Sequence, residues 1–178
     1  MLPKVAIICA NYNYGKFIIE GMKSIQKQYY KGEIRLYIVD DGSSDDSWEK
    51  ISEFASQNLD FVFAKRIENS GASVARNTAL AMAWEWADIF GVLDADDSYK
   101  LNKVEKLVEK LMEYPEIGVA YGDYDIHRSY GDKHYVKYEA KSPYCRRELS
   151  QSCMVHSNAL IKKEYLEKVI LPNGEIFD

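Results

Sequence analysis

The sequence alternates between short apolar runs and longer segments of helical periodicity, and this alternation constrains the fold most strongly. The runs have the length of strands buried on both faces. They cover residues 5–10, 34–39, 61–64, 89–93 and 117–121. Strands that alternate with helices form right-handed βαβ units. The sequence therefore predicts an α/β fold with a doubly wound, mainly parallel sheet flanked by helices.

The helices between these runs are predicted from apolar spacing and capping residues. The clearest covers residues from about 100 to 113 and ends before Pro115. Its predicted inward face contains Leu101, Val104, Leu107, Val108, Leu111 and Met112. After the second strand, Ser43 or Ser44 is predicted to cap a helix with two aspartates in its first turn. A helix of small residues is predicted from residue 74 to about 83.

The pattern weakens after residue 121, where the fifth strand is predicted to run on toward His127. A hairpin tip is predicted at residues 130–134 and a short helix at 144–151. A strand and a helix follow at 154–161 and 162–169. At 178 residues, the chain is predicted to be one domain, with a larger half at 1–122 and a smaller, mixed half at 123–178.

Composition excludes some classes of partner and compartment. The net charge of −5 argues against a nucleic-acid partner. Three cysteines, Cys9, Cys145 and Cys153, show neither metal-ligand spacing nor a disulfide framework, which favours a reducing compartment. The first apolar run is too short for a signal peptide or a transmembrane helix. We therefore expect a cytoplasmic protein, with peripheral association at the inner face of the membrane left open.

Acidic residues crowd the ends of two predicted strands. Asp94, Asp96 and Asp97 directly follow the fourth run, and Asp40 and Asp41 follow the second. Carboxylates this close repel one another unless a cation or hydrogen-bond donors compensate them. An Asp-x-Asp pair presents hard oxygens on one side of an extended chain, which suits Mg²⁺ or Mn²⁺ shared with substrate phosphates. The alternative for residues 94–97 is a solvated loop in which Ser98 caps a helix.

In a doubly wound sheet, ligands bind beyond the carboxyl ends of the strands. Asn11 and Tyr12 follow the first strand, so they join the acidic residues there. A helix N-terminus near Gly71, with Arg76 one turn on, is suited to phosphate, although Arg76 fits a surface salt bridge equally well. The chain has neither a Gly-x-Gly-x-x-Gly motif after its first strand nor a Gly-Lys-Ser/Thr motif. Dinucleotide and P-loop sites are therefore not supported.

Four motifs together resemble the family 2 glycosyltransferases of the GT-A fold, a Rossmann-like fold. They are Ala-Asn-Tyr-Asn (10–13), Val-Asp-Asp-Gly-Ser (39–43), Asn-Ser-Gly-Ala-Ser-Val-Ala-Arg-Asn (69–77) and Leu-Asp-Ala-Asp-Asp (93–97). The resemblance is close over residues 3–125 and loose thereafter. It implies that residues 1–122 bind a nucleotide-sugar and that residues 123–178 form an incomplete acceptor-side half.

The resemblance also implies a nucleotide site, formed by Asn11, Tyr12, Asp40, Asp41, Gly71, Arg76 and Asp94. In it, Asp40 accepts a hydrogen bond from a uracil-type base, and Asn11 and Tyr12 pack near that base. Arg76 approaches the base or the diphosphate, and Asp94 takes the ribose.

The implied metal ligand is Asp96, with Asp94 and Asp97 as alternatives because the acids are adjacent. A Mn²⁺ or Mg²⁺ ion there would bridge both phosphates and stabilise the leaving nucleoside diphosphate.

The implied reaction is inverting transfer of a sugar from a nucleotide-sugar, with a UDP-sugar expected, to a hydroxyl of a glycan or lipid-linked acceptor. A carboxylate base deprotonates that hydroxyl. In the family the base follows a Gly-x-Phe-Asp-Glu segment, and residues 171–178 resemble its start. We therefore expect the chain to be cut short and the base to lie beyond Asp178, with Asp125 and Glu148 as weaker candidates. His156 is expected to be a core histidine.

Two other functions share part of this pattern. A nucleotidyltransferase would need a glycine-rich, basic loop after the first strand, which residues 11–16 do not supply. A non-enzymatic, response-regulator-like module that binds Mg²⁺ would place its acidic pair after the first strand. Here the first strand ends instead in Asn11 and Tyr12.

Overall fold

The computed structural model of the protein describes residues 1–130, 132–149, 155, 159–171 and 174–177. Within these residues, eight strands are present: β1 (Val5–Asn11), β2 (Ile34–Asp40), β3 (Val62–Arg66), β4 (Ile89–Val92), β5 (Val119–Ala120), β6 (Tyr124–Tyr130), β7 (Lys133–Glu139) and β8 (Leu160–Lys162). The helices are α1 (Ile18–Gln26), α2 (Ser47–Ser56), α3 (Ala72–Ala83), α4 (Lys103–Glu113), α5 (Arg146–Leu149) and α6 (Lys163–Leu166), followed by a 3₁₀ turn (Glu167–Val169).

The main sheet has the strand order β3-β2-β1-β4-β8-β5. Strand β1 pairs in parallel with both β2 and β4, and β2 pairs in parallel with β3. Strand β8 runs antiparallel between β4 and β5. The predicted mainly parallel, doubly wound α/β fold is confirmed. The sequence did not predict that β8 would lie between β4 and β5, because the neighbours of a strand in a sheet depend on packing between residues that are distant along the chain.

Alternate residues of the central strands pack on opposite faces of the sheet. Ile7 and Ile38 belong to the apolar cluster that includes residues of α1, α2 and α4. Ile8 and Val39 belong to the cluster that includes residues of α3. The buried face of α3 consists of Ala75, Ala79, Leu80 and Ala83. Small side chains let this helix approach the sheet closely, which fixes its N-terminus beside the strand ends.

Two details of the predicted helices are wrong. Helix α2 begins at Ser47 and its N-cap is Asp46, so neither Ser43 nor Ser44 caps it. Helix α4 begins at Lys103, so Leu101 precedes it and is 44% exposed. Met112 is 51% exposed, whereas Val104, Leu107, Val108 and Leu111 are buried as predicted. The buried stripe is therefore narrower than the apolar pattern suggests.

The smaller half starts with a hairpin rather than a continued strand. The predicted fifth strand stops at Ala120, and β6 and β7 form a separate two-stranded sheet. Tyr130 pairs with Lys133, which confirms the predicted hairpin tip. Strand β8 begins at Leu160, and residues 154 and 156–158 of the predicted strand lie outside the described residues.

Candidate active site

The carboxyl ends of β1, β2 and β4 meet at one edge of the sheet. Asn11 pairs with Asp40 in register at the ends of β1 and β2, and Asp94 follows the end of β4. The N-terminus of α3 packs beside them and brings Arg76 to the same edge. We call this group (Asn11, Asp40, Asp41, Arg76 and residues 94–97) the strand-end site.

Asp40 is fully buried, and its two carboxylate oxygens are hydrogen-bonded within the protein. Oδ1 accepts from Asn11 Nδ2 at 2.8 Å and from Ser43 Oγ at 2.5 Å. Oδ2 accepts from the Ser43 N–H at 3.1 Å and lies 3.4 Å from Nε of Arg66. Asp40 therefore holds the end of β1 against the loop that follows β2.

This use of Ser43 explains why it does not cap α2. Its hydroxyl donates to Asp40 and accepts from the Asn13 N–H at 2.9 Å. Asn13 has a φ of 59°, and its Oδ1 accepts from the Ser44 N–H at 2.8 Å. A Cβ on Gly15 would lie 2.1 Å from the Asp46 carboxylate and 3.1 Å from the Ser47 backbone nitrogen, so a larger residue there would displace the Asp46 side chain. Sequence reasoning missed Asn13 and Ser43, although Asn and Ser after strand ends are typical of side-chain-bonded turns.

Asp41 connects the end of β2 to the loop before α3. It is 3% exposed, and its carboxylate accepts from the N–H groups of Ser70 at 2.7 Å and Gly71 at 2.9 Å. Gly42 has a φ of 71°, and a Cβ there would lie 2.9 Å from the Asn69 backbone nitrogen. The Gly71 amide predicted to meet phosphate therefore already donates to a carboxylate of the protein.

Replacing Asp41 by Asn is expected to lower the free energy of unfolding by about 1–3 kcal/mol, since the buried, charged acceptor of the Ser70 and Gly71 N–H groups is replaced by an amide with a single acceptor oxygen. The measurement is chemical denaturation of the variant and the parent. Asp60→Asn is the matched control. Asp60 is exposed, and its substitution removes the same charge far from this edge. A variant as stable as the control would show that the loop before α3 is held by other contacts.

The alternative for Arg76 is resolved in part by an ion pair. Nη2 of Arg76 lies 3.0 Å from Oδ1 of Asp94, and their side chains are 30% and 29% exposed. The pair therefore lies at the mouth of the site rather than on an outer surface. A partly exposed guanidinium at this position can bind a second anion, such as a phosphate, beside Asp94.

The remaining acids form a turn. The Asp97 N–H donates to the Asp94 carbonyl at 2.9 Å, which leaves Asp96 at the exposed position between them. In the described part of the chain, the Asp96 carboxylate has no hydrogen bond or ion pair. Across the same residues, no three His, Cys, Asp or Glu side chains converge as a ready metal cage. One or two free carboxylate oxygens fit instead a divalent ion that takes its other ligands from phosphates and water.

Two residues near the acids, Cys9 and Lys103, have shifted pKa values. Burial raises the pKa of the Cys9 thiol, and the charge of Asp94 raises it further, so Cys9 is neutral and unreactive. Burial lowers the pKa of Lys103 to about 7, against the opposing effect of Asp97. Near neutral pH, this lysine therefore compensates the acids only in part, which leaves a field that attracts cations.

Two further groups at the edge are suited to a flat polar ligand. Tyr12 is 48% exposed although it is a large aromatic residue. Oδ1 of Asn11 is buried and accepts no hydrogen bond from the residues that the structure describes. An unpartnered buried acceptor next to an exposed ring suits a ligand with an N–H donor and an aromatic face.

Two acids of the β6–β7 region, the candidate base Asp125 and its neighbour Asp123, are held by other groups. Asp125 forms an ion pair with Lys100 at 2.7 Å. Asp123 accepts from the Lys141 N–H and the Tyr138 hydroxyl, and these two bonds hold its pKa below the ordinary value. Glu148 belongs to α5, but its side chain, like His156, Cys153 and Asp178, lies outside the described part. Asp125 and Asp123 are thus arranged as structural acids.

Among the described residues, no helix is both long and apolar enough to cross a bilayer. The cytoplasmic location expected from the sequence stays a prediction.

Comparison with known proteins places this edge in context. GlyG, a glycosyltransferase of Streptococcus pneumoniae, is 27% identical over the whole chain, which spans 63% of GlyG. Staphylococcus aureus TarS in complex with UDP-GlcNAc superposes with a TM-score of 0.69 over 93% of the chain and 47% of TarS, at 19% identity. A mannosyltransferase of Pyrobaculum calidifontis in complex with GDP-Man and Mn²⁺ gives 0.70 over 94% of the chain and 47% of that protein, at 22% identity.

These structural similarities establish a GT-A fold. The chain spans about half to two thirds of the length of these proteins. The sequence profile of glycosyl transferase family 2 matches residues 6–170, nearly the whole chain. The chain therefore belongs to glycosyl transferase family 2.

Proposed function

We propose that this chain binds a nucleotide-sugar, a UDP-sugar in the first instance, at the strand-end site. The protein then transfers the sugar to an acceptor hydroxyl in glycan or polysaccharide synthesis. The observation that carries the proposal is the exposed Asp96, which has no hydrogen bond or ion pair among the described residues, beside the Arg76–Asp94 ion pair at the edge where β1, β2 and β4 end. The named complexes of TarS with UDP-GlcNAc and of the mannosyltransferase with GDP-Man support a nucleotide-sugar as the donor class.

The base of the nucleotide is proposed to lie against the exposed ring of Tyr12, above Asn11 and Asp40. The unpartnered Oδ1 of Asn11 supplies an acceptor for a base N–H. Asp40 becomes a second acceptor when Arg66, whose side chain is 43% exposed, moves off its Oδ2 atom. Both acceptors are buried. Binding of a base that lacks a matching N–H would leave an acceptor unsatisfied, which costs about 1–3 kcal/mol.

The diphosphate is proposed to lie between Arg76 and Asp96. The Arg76 guanidinium is a fixed fork suited to phosphate oxygens, and Asp94 holds its orientation. Asp96, with Asp94 or Asp97, would hold a Mn²⁺ or Mg²⁺ ion. That ion would neutralise charge on the leaving nucleoside diphosphate.

Inversion at the sugar carbon is part of the proposal, with a carboxylate base acting on the acceptor hydroxyl. Asp125 is a poor candidate for that base because its carboxylate is already engaged in the ion pair with Lys100. The acceptor is proposed to be a glycan or a lipid-linked saccharide that approaches from the side of the β6–β7 hairpin. Peripheral association with a membrane would follow from a lipid-linked acceptor.

The test is thermal denaturation with a panel of ligands. We expect UDP or UDP-sugars with Mn²⁺ to raise the melting temperature more than inorganic diphosphate with Mn²⁺ does, since the base adds contacts. Stabilisation by acetyl phosphate with Mg²⁺ and not by nucleotides would favour a response-regulator-like module. Stabilisation by nucleoside triphosphates and not by diphosphates or nucleotide-sugars would favour a nucleotidyltransferase.

A further inference from the structure

One side chain on α3 is bonded to a segment about a hundred residues away in sequence. Nδ2 of Asn77 donates to the Phe177 carbonyl at 2.8 Å. Its Oδ1 accepts from the N–H groups of Ile176 at 3.2 Å and Phe177 at 3.0 Å. The primary amide thus meets both a donor and an acceptor of Phe177, as a neighbouring strand would. We call residues 174–177 the docked segment.

The docked segment has further contacts with the body of the protein. At its start, the Leu171 N–H donates to the Glu175 carbonyl at 2.7 Å and the Gly174 N–H donates to the Leu171 carbonyl at 2.9 Å. Ile176 and Phe177 are partly buried and pack against the apolar cluster that includes α3. Backbone groups next to apolar contacts are costly to leave unpaired, and the Asn77 amide pairs those of Ile176 and Phe177.

The docked segment also reaches the strand-end site. The Phe177 ring centroid lies 6.0 Å from Cζ of Arg76, within the range of a cation–π contact. Arg76 in turn forms the ion pair with Asp94. Arg76 and Asn77 are neighbours on α3. Arg76 pairs with Asp94, and Asn77 holds the docked segment, whose Phe177 ring lies near Arg76.

We propose that Asn77 is a positioning residue for donor binding. By fixing the backbone at Phe177, it places the ring against Arg76 and narrows the positions that the guanidinium can adopt beside Asp94. A side chain that is already ordered loses less conformational freedom when it binds phosphate. This inference rests on the proposed function for the role of Arg76, whereas the docking itself does not.

The first experiment measures hydrogen exchange at the amides of Ile176 and Phe177 without nucleotide. Asn77→Ala removes every bond and is expected to remove most of their protection. Asn77→Asp keeps the acceptor but loses the donor, so its protection should be intermediate. Thr78→Ala is the matched control, because the Thr78 hydroxyl bonds, among the described residues, only to the Val74 carbonyl within α3. The amides of Ile176 and Phe177 should exchange in this variant as in the parent. Equal protection in Asn77→Ala and the parent would overturn the docking role.

The second experiment is calorimetry of UDP with Mn²⁺. Asn77→Ala is expected to weaken binding by roughly 2- to 30-fold, the usual range for a coupling residue that does not touch the ligand. Phe177→Leu, which keeps the apolar contact but removes the ring, should weaken it similarly, and Thr78→Ala should not. Unchanged affinity in both Asn77→Ala and Phe177→Leu, with protection lost in Asn77→Ala, would overturn the positioning role.

Two checks keep the outcomes separate. If the parent does not bind UDP, the proposed function fails, and the exchange measurement still decides whether Asn77 docks the segment. Circular dichroism checks folding, and if Asn77→Ala is unfolded, Asn77→Asp and Phe177→Leu decide the question. A pair of folded variants with parental exchange and affinity would then contradict the proposal.

Discussion

Replacing Asp96 by Asn is expected to abolish Mn²⁺-dependent binding of UDP and to leave the unfolding midpoint unchanged. Asp96 is exposed and, in the part of the chain that the structure describes, has no internal hydrogen bond or ion pair that the fold could lose. The variant keeps the shape of the side chain but removes the charge that a hard divalent ion requires. Calorimetry with Mn²⁺ measures the affinity, and thermal denaturation measures the midpoint.

Asp60→Asn is the control for net charge, because Asp60 is exposed and precedes β3 at the opposite edge of the sheet. It should bind UDP as the parent does. An Asp96→Asn variant with parental affinity in the presence of Mn²⁺ would remove Asp96 from the metal site. Asp97 would then be the next acid to replace.

Replacing Asp40 by Ala is expected to have the largest effect on stability. The substitution leaves the Ser43 N–H and one Asn11 N–H without their acceptor in a fully buried position. Each such group costs about 1–3 kcal/mol. For a chain of this size, each kcal/mol lowers the melting temperature by about 2–4 °C. A scanning calorimeter measures the shift.

The matched control is Asp45→Ala, which removes an exposed acid that also accepts backbone N–H groups, those of Gly15 and Ser47. Its loss should be smaller, since the Asp45 carboxylate is exposed to water whereas that of Asp40 is fully buried. A melting temperature for Asp40→Ala equal to that of Asp45→Ala would mean that the buried Asp40 network contributes no more than the bonds of an exposed carboxylate. Where Asp40→Ala stays folded, we also expect it to weaken UDP more than inorganic diphosphate.

The sequence predicted well what local periodicity determines. Strand β2 was expected at 34–39 and covers Ile34–Asp40, and the buried positions of α4 from Val104 to Leu111 follow the helical spacing. The convergence of Asn11, Asp40 and Asp94 followed from parallel strands alone. Their roles toward a nucleotide came from the family resemblance and stay predictions.

The features that the sequence did not predict depend on contacts between residues that are distant along the chain. Ser43 has the residue type of a helix cap, yet its hydroxyl bonds to Asp40 because β1 brings Asn11 and Asn13 beside it. Strand β8 lies between β4 and β5 only because the smaller half folds back. Asn77 was part of a recognised motif, but nothing local distinguishes its amide from a solvated one, since its partners are backbone groups at residues 176 and 177.

The most direct test of the central claim is electron paramagnetic resonance of Mn²⁺, whose free aqueous ion gives a strong signal that is lost on binding to protein. We expect the chain alone and UDP alone to leave much of the signal, and the two together to remove it, because the ion is shared between carboxylates and diphosphate. Asp96→Asn should restore the signal. A signal that UDP does not change in the presence of the chain, or that Asp96→Asn does not restore, would contradict a shared metal at the strand-end site.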